Sequence, residues 1–83
     1  MAERLFVKTM QGKILAFDFD TSEPVYKLKE MIQETEGMPI GQQRLLYQGQ
    51  DLEDGNDVKS YDIHGMITLA LSLSGGSQKS ARK

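Results

Sequence analysis

The sequence predicts an α+β fold in which one main helix lies across a mixed sheet, and three observations predict it. Leu15, Phe17 and Phe19 alternate with Ala16, Asp18 and Asp20, the period-2 pattern of a strand with one buried face. Val25, Leu28 and Ile32 recur at helical spacing, with Met31 beside them. Finally, the apolar segments fall in the order ββ-α-β-β, with both strands of a hairpin ahead of the only helix. One helix can cover one face of such a sheet, so that the helix stripe and the inward strand residues share a core.

Each element has its own signal. Leu5-Phe6-Val7-Lys8 reads as a first strand, and Met10-Gln11-Gly12-Lys13 as a turn into the second. Ser22 is a candidate helix cap, and Pro24 suits a first helical turn. Gly37 followed by Pro39 ends the helix, placing it at about 24–35. Gln42–Tyr47 reads as the third strand. Asp54-Gly55-Asn56-Asp57 is a turn, and Val58–Asp62 a short turn or 3₁₀ segment. Met66–Leu73 is the last strand. The expected core is Leu5, Val7, Leu15, Phe17, Phe19, Val25, Leu28, Ile32, Leu45, Leu52, Val58, Ile63, Leu69 and Leu71. Residues 1–73 are expected to form the domain, and residues 74–83 a flexible tail.

Size and composition narrow the functions. The chain has 83 residues, enough for one modest core. It has no cysteine, which excludes disulfides, thiolate metal sites and cysteine nucleophiles. No apolar run has the length of a membrane helix, and the N-terminus does not read as a signal peptide. The expected setting is therefore the cytoplasm or nucleus, without membrane contact. Net charge is −2, but Lys79, Arg82 and Lys83 lie in an end segment free of acids. Without those three cations the preceding 76 residues stand at −5, an acidic body with a basic tail.

Nothing in the sequence assembles catalytic chemistry. His64 is the only histidine and is expected exposed in a loop. Asp18 and Asp20 suit a solvated acidic face better than a metal site. No phosphate loop, cofactor loop or nucleophile elbow is present, so neither a cofactor nor enzymatic activity is expected.

Four stretches resemble the ubiquitin-like family. Phe6-Val7-Lys8-Thr9 with Gly12-Lys13 is similar to its first hairpin. Glu36-Gly37-Met38-Pro39 with Gln42-Gln43-Arg44-Leu45 is similar to its helix end and third strand. Leu52-Glu53-Asp54-Gly55 with Tyr61-Asp62-Ile63 is similar to its long loop, and Thr68-Leu69 with Gly75-Gly76 to its last strand and tail. The match runs almost without gaps from Leu5 to Ser74. It implies the ubiquitin-like β-grasp fold, a monomer, and function through protein–protein recognition. It also implies a Lys29–Asp54 ion pair beneath the surface and a Tyr61 hydroxyl bonded to backbone near Glu53.

The same resemblance assigns candidate sites. The family's main apolar patch maps to Met10, Leu46, Ala70 and Ser72, flanked by Arg44 and Leu73. Ala70 and Ser72 stand where a histidine and a valine would, which trims the patch. At ~25 cal/mol per Å² that loss weakens binding by about 1–2 kcal/mol. Lysines of the two best-known chain linkages map to Gln50 and Gly65, leaving Lys8, Lys13 and Lys29 as candidate acceptors. Gly75 and Gly76 are candidate conjugation residues, usable after a protease removes residues 77–83. They arrive two residues early, and Ser74 replaces an arginine.

Gly37-Met38-Pro39-Ile40-Gly41 and Leu69-Ala70-Leu71 also resemble the ubiquitin-like domain of the splicing factor 3a large subunit. That resemblance implies assembly without conjugation, with Lys79, Arg82 and Lys83 touching RNA. Three charges give only weak, salt-sensitive contact. Two readings therefore stand: a modifier served by pathway enzymes and receptors, or a domain bound to assembly subunits.

Overall fold

The computed structural model describes residues 2–72, and within them the chain forms five strands and one α-helix. The strands are β1 (Ala2–Lys8), β2 (Ile14–Asp20), β3 (Gln43–Tyr47), β4 (Gln50–Asp51) and β5 (Met66–Leu71). The helix α1 spans Val25–Glu36, one residue later than expected at each end. Short 3₁₀ turns occupy Ile40–Gln42 and Val58–Tyr61.

The sheet order is β2-β1-β5-β3-β4. β1 is antiparallel to β2 and parallel to β5, and β3 is antiparallel to both β5 and β4. This mixed five-stranded sheet with one main helix is the expected β-grasp arrangement.

Strand parity divides the molecule. Leu5 and Val7, then Leu15, Phe17 and Phe19, then Leu45, then Ile67 and Leu69 face inward and are buried. Val25, Leu28 and Ile32 of α1 meet them, and Leu52, Val58 and Ile63 of the long loop close the remaining side. Met31, Met38, Tyr47 and Tyr61 pack around this centre.

Two expectations about the core need correction. Ile67 is fully buried although it was not expected there. Leu71 has inward parity but is 43% exposed, because it lies near the end of β5, opposite Gln43, where a polar side chain takes the inward place. There Gln43 Nε2 donates to the carbonyls of Lys29 (2.9 Å) and Met38 (3.0 Å), so the end of the core is closed by hydrogen bonds.

The helix start also differs from expectation. Ser22 does not cap α1. Its amide and hydroxyl both donate to Asp20 Oδ1, at 3.0 and 2.6 Å, and make a turn before the helix. Free amides of the first turn are taken by the long loop instead. Val25 N–H donates to Asn56 O and Tyr26 N–H to Asp54 O. At the other end, Gly37 is left-handed with φ 74°, and its N–H donates to Gln33 O. That is the predicted glycine stop.

Strand limits shift for local reasons. β1 extends back to Ala2 because β2 continues to Asp20 and pairs with it. β5 is described only to Leu71, short of the expected Leu73. β4, which was not expected, follows a two-residue turn in which Gln48 and Gly49 both have positive φ.

Candidate recognition surface

The sheet face opposite α1 carries the candidate binding residues within the described chain. Arg44 of β3 lies opposite Ala70 of β5, and Leu46 lies opposite Thr68. Lys8 of β1 pairs with Thr68 on the other side. The rows therefore read Lys8–Thr68–Leu46 and, one step toward the end of β5, Ala70–Arg44. Met10 sits two residues beyond Lys8, in the β1–β2 turn at the same end of the sheet, and is exposed.

That turn is held internally. Thr9 is buried; its N–H donates to Lys13 O at 2.8 Å, and its hydroxyl accepts from Lys13 N–H at 3.1 Å. Gly12 permits the reversal at φ 86°. Met10 is thereby presented from a fixed turn.

Leu46 and Ala70 are half-buried, as is Ser72, whose N–H donates to Gln42 O at 2.8 Å. Arg44 grips Asp51 with two bonds, Nε to Oδ1 at 2.6 Å and Nη2 to Oδ2 at 3.1 Å. The hydrogen bond raises the Arg44 pKa and lowers that of Asp51. The surface thus joins a modest apolar area to a fixed ion pair. Such a surface has the make-up of a recognition site, with apolar side chains at Met10, Leu46 and Ala70 beside the ordered Arg44–Asp51 pair.

The candidate acceptor lysines occupy different surroundings. Lys8 is exposed on the outer sheet face. Lys13 is exposed and reaches Glu36 Oε2 at 3.0 Å. Lys29 is buried, with Nζ 2.6 Å from Asp54 Oδ1, which is the pair the resemblance implies. Held there, its amine is withdrawn from an incoming acyl group until the pair opens. Tyr61 Oη accepts from Glu53 N–H at 2.9 Å, again as implied. Leu73, Gly75, Gly76, Lys79, Arg82 and Lys83 lie outside the described residues.

His64 is exposed, with Nε2 2.9 Å from Asp62 Oδ1. Among the described residues, no group of three or more acidic, histidine or cysteine side chains could hold a metal ion, and no helix is long and apolar enough to cross a membrane. Strand parity also turns Phe6, Ile14 and Met66 outward, three large apolar side chains the candidate patch omits. The outward position of Phe6 and Ile14 was readable from parity: Phe6 alternates with Leu5 and Val7, and Ile14 with Leu15.

The fold is a β-grasp domain whose outer sheet face carries apolar side chains beside an ion pair, the form of a recognition module. The family model described as "Ubiquitin family" matches residues 5–75, and the chain belongs to that family. It is 41% identical over 73 residues to Ubiquitin-like protein 1 of Schizosaccharomyces pombe, covering 86% of this chain and 94% of that protein. Against Ubiquitin-like protein NEDD8 of Dictyostelium discoideum it is 38% identical over 72 residues, covering 84% and 94%. Against NEDD8-like protein RUB1 of Saccharomyces cerevisiae it is 40% identical over 72 residues, again covering 84% and 94%. The chain is a ubiquitin-like protein, and none of these three relatives supports the splicing reading.

Proposed function

We propose that this chain is a protein modifier, joined through Gly76 to lysine amines after residues 77–83 are removed. The observation that carries the reading is its similarity to NEDD8-type proteins over nearly their whole length, together with Gly75-Gly76 shortly after the last strand. Two glycines make a segment slim enough to thread a narrow enzyme channel. A protease hydrolyses the Gly76–Ser77 bond, and a partner enzyme converts the freed carboxyl to an adenylate or thioester. The neutral Nζ of the target lysine attacks that carbonyl, forming the amide as the nucleotide or thiol leaves and the amine loses its proton. The domain itself supplies no catalytic group. It acts as a monomer in the cytoplasm or nucleus, and receptors read Met10, Arg44, Leu46, Ala70, Ser72 and Leu73.

The test is incubation of the tagged chain in lysate of its source organism. Mass spectrometry should find loss of residues 77–83 and higher-mass adducts, both abolished by Gly76→Ala. An intact chain with no adducts overturns the proposal. Ser74 and the early glycines favour a second reading for that outcome: a non-conjugated assembly domain whose Lys79, Arg82 and Lys83 touch RNA.

A further inference from the structure

The side of α1 turned away from the sheet combines an exposed aromatic ring with carboxylates. Val25, Leu28 and Ile32 take the inward side of the helix. Tyr26, Glu30 and Glu34 recur at four-residue spacing along the outward side. With Ile40 they line a shallow groove of about 660 Å³ between α1 and the 3₁₀ turn at Ile40–Gln42. Tyr26 is 43% exposed. Glu30 reaches Lys27 Nζ only at 3.7 Å, too long for a hydrogen bond. Glu34 makes no ion pair among the described residues, whereas Glu36 is held by Lys13 and Asp51 by Arg44. The last turn of α1 has no basic side chain, so the partial negative charge of the helix C-terminus adds to these carboxylates.

The chain carries its own complement to this groove. Ser72 N–H donates to Gln42 O at 2.8 Å, so the backbone leaves the described residues beside the turn whose Ile40 lines the groove. The residues after Ser72 include Lys79, Arg82 and Lys83 and no acid. Extended chain from Ser72 spans up to ~23 Å to Lys79 and ~33 Å to Arg82. From Glu34 to Tyr26 the helix rises only ~12 Å. The basic residues therefore reach the whole groove with chain to spare.

We infer that residues 79–83 dock on this face of α1, with Arg82 stacked on the Tyr26 ring against Glu30 and Lys79 on Glu34. A guanidinium binds an aromatic face and a carboxylate at once, and Tyr26 beside Glu30 offers both. Exposed contacts of this kind are individually weak and screened by salt. Tethering selects the occupant: a connection this short supplies an effective concentration in the millimolar range, far above that of a separate basic peptide or a second copy at micromolar concentration. Whether the helix face is covered or open then depends on residues 77–83 being attached. The contact needs only the 83-residue chain and does not rest on conjugation.

The chain has no cysteine, so Ser80→Cys gives a single attachment point for a nitroxide on the full-length, ¹⁵N-labelled protein. At low salt the label should at least halve the amide signals of Tyr26, Glu30 and Glu34 and leave those of Phe6 and Ala16, on the opposite sheet face, nearly unchanged. High salt should reduce the broadening at least twofold. Glu30→Lys with Glu34→Lys should abolish it, and adding Lys79→Glu, Arg82→Glu and Lys83→Glu should restore at least half. Tyr26→Ser should weaken the broadening at Glu30 at least twofold. The substituted side chains of α1 are solvent-facing, and the dispersion of each spectrum verifies folding. Broadening that is absent, spread evenly over the surface, or indifferent to both salt and charge reversal overturns the proposal. Equal broadening of an unlabelled ¹⁵N chain by added nitroxide-bearing ¹⁴N chain assigns the contact to a second copy and overturns it too.

Discussion

Lys29 Nζ donates to Asp54 Oδ1 at 2.6 Å, while the backbone carbonyl of Asp54 accepts from Tyr26 N–H in the first turn of α1. One loop residue therefore ties the helix twice, once by its side chain and once by its backbone. The lysine is buried and the aspartate half exposed, so the two ends of the pair are not equivalent. Removing the aspartate leaves a buried ammonium without its counter-charge. Asp54→Ala should cost about 1–3 kcal/mol in urea unfolding. Lys29→Met in the same background should recover part of that loss, because an apolar chain of similar length needs no partner. If the double variant is less stable than Asp54→Ala alone, packing and not charge governs this site.

The Tyr61 hydroxyl is the second brace of the same loop. It accepts from Glu53 N–H and from Asn56 Nδ2, both at 2.9 Å. Tyr61→Phe keeps the ring at the edge of the core and removes both bonds. The expected cost is about 1 kcal/mol, the net worth of such bonds at a solvated position. Amide exchange at Glu53 and Asn56 should quicken more than exchange at Leu45 or Val7, which marks the loss as local opening.

Ile67 and Leu71 show where sequence reading succeeds and where it stops. Alternation placed nearly every inward strand residue, because a sheet covered on one face allows only one register. The last strand is almost continuously apolar, and there alternation loses its contrast. What separates Ile67 from Leu71 is position under the helix, a tertiary fact. Gln43 pairs opposite Leu71 and fills the inward place with an amide. The turn at Gln48-Gly49 gives a weak sequence signal for another reason: it has the backbone of an Asn-Gly turn with a less telling first residue. For the candidate surface, the register places Arg44, Leu46 and Ala70 together, whereas the nearness of Phe6 to Met66 follows only from the β1–β5 pairing. Ile67→Ala should cost about 2–5 kcal/mol, as expected of a fully buried aliphatic side chain. Leu71→Ala should cost less than about 1 kcal/mol. Thermal or urea unfolding of the two variants side by side distinguishes them.

Leu46 is a surface residue with a neighbour on each side, Thr68 and Asp51. Its half-buried side chain adds little to the core, so Leu46→Ala should change stability by under about 1 kcal/mol. Its effect should appear in partner binding. At an apolar contact the truncation should weaken receptor affinity by about 1–2 kcal/mol, read by titration calorimetry. A variant that loses stability while retaining full affinity would move Leu46 out of the recognition surface.

The Arg44–Asp51 pair gives that surface a pH signature. The Arg44 hydrogen bond holds the Asp51 pKa below its ordinary value of 3.8. A carboxylate depressed in the folded state contributes stability that is present above its unfolded pKa and lost as pH falls through the folded value. The pair therefore persists throughout the neutral and mildly acidic range, and the window of loss lies below the usual carboxylate titration. The ions are exposed, so the stability involved is small and screened by salt. NMR titration of the Asp51 carboxyl should give a midpoint below that of a free aspartate, and Arg44→Ala should move it upward. Arg44→Lys should restore only part of the shift, because an ammonium cannot reproduce the two-point grip. An Asp51 midpoint unchanged by Arg44→Ala would mean that the pair does not order this surface in solution, and receptor binding would then be equally indifferent to both residues.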